Sequence, residues 1–224
     1  CIQRYSHGHK VPTLDIYLEC NSIEISEKDY SEVKYSEEDI QKITALSQEK
    51  GIQFKIARSI APTLFGMESI KLSMALAVFG GVVKNMPDGT RLRGDTHVLL
   101  IGDPGIAKSQ LLKYVVTISP RGIFASGMSA SKAGLTATAV KEEGGFGDGR
   151  WTLEAGALVL ADMGVACVDE IGRMGPQDRS ALHDAMEQQE ISVAKAGIVA
   201  TLKTRCALIA AGNPKYGRFD STQE

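Results

Sequence analysis

Leu14, Ile16, Leu18 and Cys20 alternate with Asp15, Tyr17, Glu19 and Asn21, and this period of two predicts a half-buried strand. From Ser26 to Ser36 the chain is polar and charged, with Glu27, Lys28, Asp29, Glu32 and Lys34, and reads as a linker. Ser36 followed by Asp39 has the form of a capping box with Asp in the usual Glu or Gln position. Behind it Ile40, Ile43 and Leu46 share one helical face until Lys50-Gly51. A second helix is expected from Ile52 to Ile60, ending before Pro62. A third runs from about Met67 to Phe79, with Ile70, Met74, Ala77 and Val78 apolar, and closes at Gly80-Gly81.

Beyond Arg93 the pattern changes. Short continuous apolar runs at His97–Ile101, Ile123–Ala125, Val165–Val168 and Cys206–Ala211 are separated by helical stretches. Such runs suit strands covered on both faces, so the fold class is α/β with a parallel sheet between helices. There is no internal repeat and no low-complexity stretch.

Composition changes this picture little. A chain of 224 residues with 43% apolar content fills one large domain or one domain and part of another. The formal charge of -2 excludes a uniformly basic nucleic-acid binder, so any DNA contact must be local or built from several copies in a ring. The four cysteines form no Cys-x-x-Cys pair, and Cys167 and Cys206 sit in apolar runs as reduced thiols would. Thiols of that kind favour a reducing, intracellular compartment; no apolar run is long enough to span a bilayer and no signal peptide is visible, so no membrane partner is expected. The first residue is not Met, and the chain reads as a fragment.

The chemistry begins at Val98-Leu99-Leu100-Ile101, which leads into Gly102-Asp103-Pro104-Gly105-Ile106-Ala107-Lys108-Ser109 and then the helical Gln110-Leu111-Leu112. Strand, phosphate loop and helix stand in the required order. Inward-turned N–H groups and the positive helix end would cradle phosphates, Lys108 would reach the β- and γ-phosphates, and Ser109 would offer a hydroxyl to Mg²⁺. Ala107 replaces the second glycine of the general pattern, which leaves an ordinary Gly-rich turn as the alternative. Val165-Ala166-Cys167-Val168 ends in Asp169 and Glu170: Asp169 is placed to hold the Mg²⁺ shell and Glu170 to polarise an attacking water. Solvated acids at a strand end are the bland alternative. A third strand, Cys206–Ala211, ends in Gly212-Asn213-Pro214, where Asn213 is either a turn residue or an amide beside the γ-phosphate.

In these motifs the chain resembles the minichromosome maintenance (MCM) family of AAA+ helicases, from Ser59-Ile60-Ala61-Pro62 to Phe219-Asp220. The likeness runs through Leu92-Arg93-Gly94-Asp95, Gly102–Gln110, Leu153–Leu160, Glu187-Gln188-Gln189 and Ala194-Lys195-Ala196-Gly197-Ile198. Alanine before the P-loop lysine is typical of that family. The resemblance implies an AAA+ P-loop NTPase core at 51–224, truncated before the arginine finger and lid. It implies the end of an OB-like β domain at 1–25 and a linker with the first helix at 26–50. It implies ATP and Mg²⁺, a hexameric ring unwinding duplex DNA in replication, and single-stranded DNA in the central channel. Gly102, Asp103, Pro104, Gly105, Ile106, Ala107, Lys108, Ser109 and Gln110 would bind nucleotide, with Ser109 and Asp169 on the metal. Lys108, Asp169, Glu170 and the sensor Asn213 would be catalytic.

By the same resemblance, 134–155 would hold a helix-2 insertion facing the channel with Gly144–Gly149 at its tip, a stretch that a plain long hairpin turn explains equally. Ile191–Arg205 would be the hairpin before the sensor strand, with Lys195 touching the DNA backbone. Gly172 and Arg173 depart from the family's acid and lysine after Asp-Glu-Ile. Arg218 follows the sensor strand too closely to be the arginine finger. Cys1, His7, His9 and Cys20 fit no usual zinc spacing. Arg179 and Gln188 would approach a neighbour's nucleotide, or simply lie on a solvated helix face. The wording leans archaeal, implying cytoplasm or nucleoid, or the nucleus if eukaryotic. The competing functions are an AAA+ remodeller or loader without unwinding, and a ring subunit that binds nucleotide only for structure.

Overall fold

The computed structural model describes residues 2–6, 9–15, 20–22, 35–127, 132–135, 137–142, 150–195 and 197–214. Two compact units divide between Lys42 and Ile43. The first begins with an antiparallel hairpin of β1 (Ile2–Ser6) and β2 (His9–Asp15), with Ile2 opposite Asp15 and Ser6 opposite His9. The alternation read at Leu14–Cys20 meets β2 at Leu14 and Asp15. β2 ends at Asp15, residues 16–19 lie outside the described set, and Cys20 to Ser22 belong to no strand. Pro12 inside β2 shows why the hairpin escaped the pattern: proline argues against a strand, yet a two-stranded ribbon has a free edge that tolerates it.

The capping box is real. Helix α1 (Glu37–Ser47) starts with the Asp39 amide donating to Ser36 Oγ at 3.2 Å and the Ser36 amide donating to Asp39 Oδ2 at 3.3 Å. Helices α2 (Ile52–Ser59) and α3 (Glu68–Phe79) follow within a residue or two of expectation. The turn between them is held by Lys71, which is buried and donates from Nζ to the carbonyls of Ala61 (3.0 Å) and Leu64 (2.6 Å). Burying such a polar group is costly unless acceptors like these replace water. A short ribbon, β3 (Lys84–Asn85) with β4 (Arg91–Leu92), leads to the main sheet.

That sheet begins with β5 (Val98–Ile101), followed by α4 (Lys108–Ile118) and β6 (Gly122–Ser126). Next come α5 (Lys132–Leu135), an antiparallel hairpin of β7 (Ala137–Glu142) and β8 (Arg150–Ala155), and α6 (Ala157–Leu160). The Gly144–Gly149 tip lies outside the described residues; the arms on either side of it are hairpin strands. The chain continues through β9 (Val165–Asp169), a 3₁₀ turn at Ile171–Arg173, and α7 (Pro176–Gln188). Strands β10 (Glu190–Lys195) and β11 (Ile198–Lys203) pair antiparallel before the chain closes the sheet with β12 (Ala207–Gly212).

Strands β5, β12, β9 and β6 lie in that order and run parallel throughout. Alternate residues of the central strands feed two cores. Val165, Cys167, Ala207, Ile209 and Ala211 pack with Met74, Leu111, Leu112 and Val115 on one face. Ala166, Val168 and Leu208 pack with Leu158, Met174, Leu182 and Ala185 on the other. Burial on both faces is why these strands read as unbroken apolar runs. It also pushes the Cys167 and Cys206 thiols up to about 12. No helix of the described residues is long and apolar enough to cross a membrane.

Candidate functional site

The parallel register brings the carboxyl ends of the strands to one edge. Gly212 lies beside Ile101, and Ser126 beside Asp169. β12 is inserted between β5 and β9, so the carboxyl ends of these three strands meet side by side at the edge where ligands of open α/β sheets bind. A cleft of about 200 Å³ occupies that edge, lined by Pro104, Gly105, Lys108, Ser109, Asp169, Glu170, Gly212 and Asn213.

Its floor is the loop between β5 and α4. Gly105 has φ +85, a left-handed turn with nothing beyond it, which only glycine adopts without strain. Ala107 is also left-handed (φ 63, ψ 22) and caps α4, so Lys108 and Ser109 form the helix's first turn. The first turn of a helix carries N–H groups without intrahelical partners and the positive end of the dipole. Lys108 Nζ donates to the carbonyls of Gly102 (2.7 Å) and Asp103 (2.6 Å), which folds the ammonium over the loop.

The opposite wall is acidic. The Glu170 amide donates to Asp169 Oδ1 at 2.9 Å, which orients that carboxylate at the end of β9. Glu170 has φ 52, a left-handed backbone that turns the chain sharply out of the strand into the 3₁₀ turn. Gly127 makes that turn possible. Its N–H donates to the Asp169 carbonyl at 2.7 Å, and a Cβ there would lie 2.5 Å from the Glu170 carbonyl oxygen. Arg173, in the segment that departs from the family wording, sits behind Glu170 with Nη1 3.3 Å from Oε1. Arg173 does not line the cleft, so it holds the carboxylate from outside; an exposed pair of this kind contributes little stability.

Of the expected residues, Pro104, Gly105, Lys108, Ser109, Asp169, Glu170 and Asn213 are brought together in the cleft. Gly102 and Asp103 contribute the carbonyls that hold Lys108, Ala107 caps the helix, and Ile106 is exposed on the loop. Gln110 lies in the first turn of α4, exposed and outside the cleft lining. The main chain of Lys195 ends β10 opposite Ile198, beside the tip of the hairpin, and its side chain lies outside the described residues. The sequence pattern alone gives no role to Gly212 or Gly127. A glycine directly before Asn213 was the available signal for the first; nothing marked the second.

Hard oxygen donors on facing walls, the Ser109 hydroxyl and the Asp169 carboxylate, fit a Mg²⁺ ion that keeps most of its shell as water and phosphate. Among the described residues no cluster of three His, Cys, Asp or Glu side chains offers an all-protein metal cage.

The family description MCM P-loop domain matches residues 39–224. The minichromosome maintenance protein of Saccharolobus solfataricus is 53% identical over 207 residues, covering 92% of this chain and 30% of that protein. The DNA replication licensing factor MCM7 of Arabidopsis thaliana is 42% identical over 206 residues, covering 92% of this chain and 28% of its own length. Licensing factor MCM2 of the same plant is 47% identical over 212 residues, covering 95% and 22%. The chain thus spans under a third of the length of these relatives.

Proposed function

The chain belongs to the MCM family, and from that premise we propose that it is the phosphate-holding part of an ATP-driven DNA helicase subunit. The observation that supports this reading is the meeting of three strand ends, at Lys108, at Asp169-Glu170 and at Asn213, around one cleft.

In this reading the backbone N–H groups of the loop and the start of α4 bind the phosphates of ATP, and Lys108 leaves the Gly102 and Asp103 carbonyls to pair with the β- and γ-phosphates. Ser109 and Asp169 would hold the metal, which when bound offsets phosphate charge. Glu170 accepts a proton from the attacking water, with Arg173 limiting the carboxylate's freedom. The Asn213 amide orients that water and the γ-phosphate. The β10–β11 hairpin presents Lys195 to the DNA backbone. Six subunits in a ring around single-stranded DNA turn one lysine per chain into a circle of charge. An intracellular setting on chromosomal DNA follows from the same proposal.

Strand displacement by the full-length protein, with Lys195→Ala beside the parent, tests it. The variant is expected to keep its basal ATPase and lose unwinding. Unwinding that survives in Lys195→Ala removes the DNA contact from the assignment. A parent that hydrolyses ATP yet displaces no strand points to a remodeller or loader. One that binds nucleotide without turnover points to a structural ring subunit.

A further inference from the structure

β5, which delivers the phosphate loop, is preceded by a lead-in at residues 93–97 whose alternate side chains reach across the structure. Arg93 donates to the Met186 carbonyl near the end of α7. Gln189 donates from Nε2 to Asp95 Oδ2. The Leu208 amide of β12 donates to His97 Nδ1 at 3.1 Å, which fixes the imidazole proton on Nε2. Two of these three contacts fall within a few residues of one point, the junction of α7 with the β10–β11 hairpin.

Gln189 is that junction. It is only 7% exposed and has φ 56, a left-handed backbone uncommon for a glutamine. Its N–H closes α7 on the Ala185 carbonyl at 3.0 Å, and its carbonyl accepts the Thr204 amide at 2.9 Å, just past the end of β11. Thr204 Oγ1 donates to the same Ala185 carbonyl at 3.3 Å. The main chain of Gln189 therefore fastens both arms of the hairpin to α7, while its side chain fastens the same point to Asp95. Among the described residues β10 and β11 hydrogen-bond as strands only with each other, and β10 also packs against β7 and, through Ile191, on the core, so the root is one of the supports that aim the hairpin. A buried amide that loses its acceptor cannot turn to water, so the root of the hairpin and the lead-in of β5 do not move independently.

We propose that the Asp95–Gln189 hydrogen bond ties the hairpin to the phosphate-loop strand, and that these two side chains are positioning residues that transmit movement of that strand to the hairpin. The inference rests on the proposed function in taking the hairpin to be the DNA-contacting element. Neither residue lines the nucleotide cleft.

The test uses the full-length protein with Asp95→Ala and Gln189→Met, which break the tie, and Asp95→Asn, which keeps an acceptor oxygen. Three quantities are measured: basal ATPase, strand displacement, and hydrogen–deuterium exchange of the amides at 190–203 and 108–118. In the two breaking variants basal ATPase stays within about twofold and unwinding falls more than about tenfold. Hairpin amides exchange more than about tenfold faster, and those of α4 are unchanged. Asp95→Asn restores unwinding and protection to within about threefold. Unaltered hairpin protection overturns the tie. So does equal loss of protection in α4, which marks general destabilisation, and so does full unwinding by a loosened hairpin. If the exchange pattern appears but the parent itself displaces no strand, the tie stands and the helicase reading fails instead.

Discussion

Ala107 offers the sharpest link between one side chain and the phosphate loop. It caps α4 with φ 63 and ψ 22, where the Cβ of an L-residue crowds the following carbonyl at a cost of about 1–2 kcal/mol. Ala107→Gly removes that cost but adds about 0.5–1 kcal/mol of backbone entropy lost on folding. The net expectation is stabilisation by about 0.5–1 kcal/mol, a rise of roughly 1–4 °C in Tm for a domain of this size. Ala107→Val acts in the opposite direction. A β-branched residue is a true outlier at positive φ, and the substitution should cost about 1–3 kcal/mol or force the loop out of shape. The assay is urea unfolding of all three proteins by far-UV circular dichroism, with nucleotide titration of the valine variant, which should bind at least about tenfold more weakly. A glycine variant less stable than the parent by more than about 1 kcal/mol, or a valine variant as stable as the parent, would refute the left-handed cap as the source of these effects.

Other consequences are independent of that loop. Asp162 accepts from the Arg205 backbone amide at 2.8 Å and from its guanidinium at 3.1 and 2.7 Å. Burial alone would raise its carboxyl, but the Arg205 hydrogen bonds and the charges of Arg205 and Arg121 outweigh it and hold the group below its ordinary 3.8. A depressed folded-state value contributes stability above the unfolded one, lost as pH falls below about 4 toward the folded one. Asp162→Asn should therefore flatten the stability–pH curve in that window, and a curve as steep as the parent's removes Asp162 from the explanation. Cys167 and Cys206, pushed up to about 12, should stay unlabelled by iodoacetamide at pH 8 until the protein unfolds, whereas the exposed Cys20 reacts. Native labelling of either buried thiol contradicts the two-faced sheet. Gly127→Ala forces a Cβ against the Glu170 carbonyl. ATP turnover should fall by more than about tenfold while nucleotide affinity changes by less than about threefold; parallel losses in both would indicate a general structural defect.

The strands of the sheet were legible as continuous apolar runs, which burial on both faces explains for β9 and β12, while β5 at the edge keeps Leu99 and Ile101 exposed; their order was not legible. The runs say that Val165–Val168 and Ala207–Ala211 are covered above and below, but nothing in them says that β12 slips between β5 and β9. That insertion brings Asn213 to the same edge as Lys108 and Asp169. The residues that meet at the strand ends were legible as candidates because their signals are local: a loop, a helix start, a pair of acids. Polar pairs distant in sequence left no such trace. Asp95 and Gln189 stand apart as an ordinary acid and an ordinary amide, and only the fold joins them. Glu170 and Arg173 are near neighbours, yet they face each other only because the chain turns left-handed at Glu170. At the start of the chain β1 stands where a strand is expected, while Pro12 and the lack of clean alternation hide most of β2 and with it the pairing.

Lys108 and Glu170 line one cleft, and in the proposed function they divide its work, the first holding phosphate and the second activating water. Nucleotide binding and single-turnover hydrolysis in Lys108→Ala and Glu170→Gln of the full-length protein test it in one experiment. Lys108→Ala should bind ATP more than about tenfold more weakly. Glu170→Gln should bind within about threefold of the parent and hydrolyse at least about a hundredfold more slowly. If both variants bind and hydrolyse ATP as fast as the parent, Lys108 and Glu170 do not have these roles.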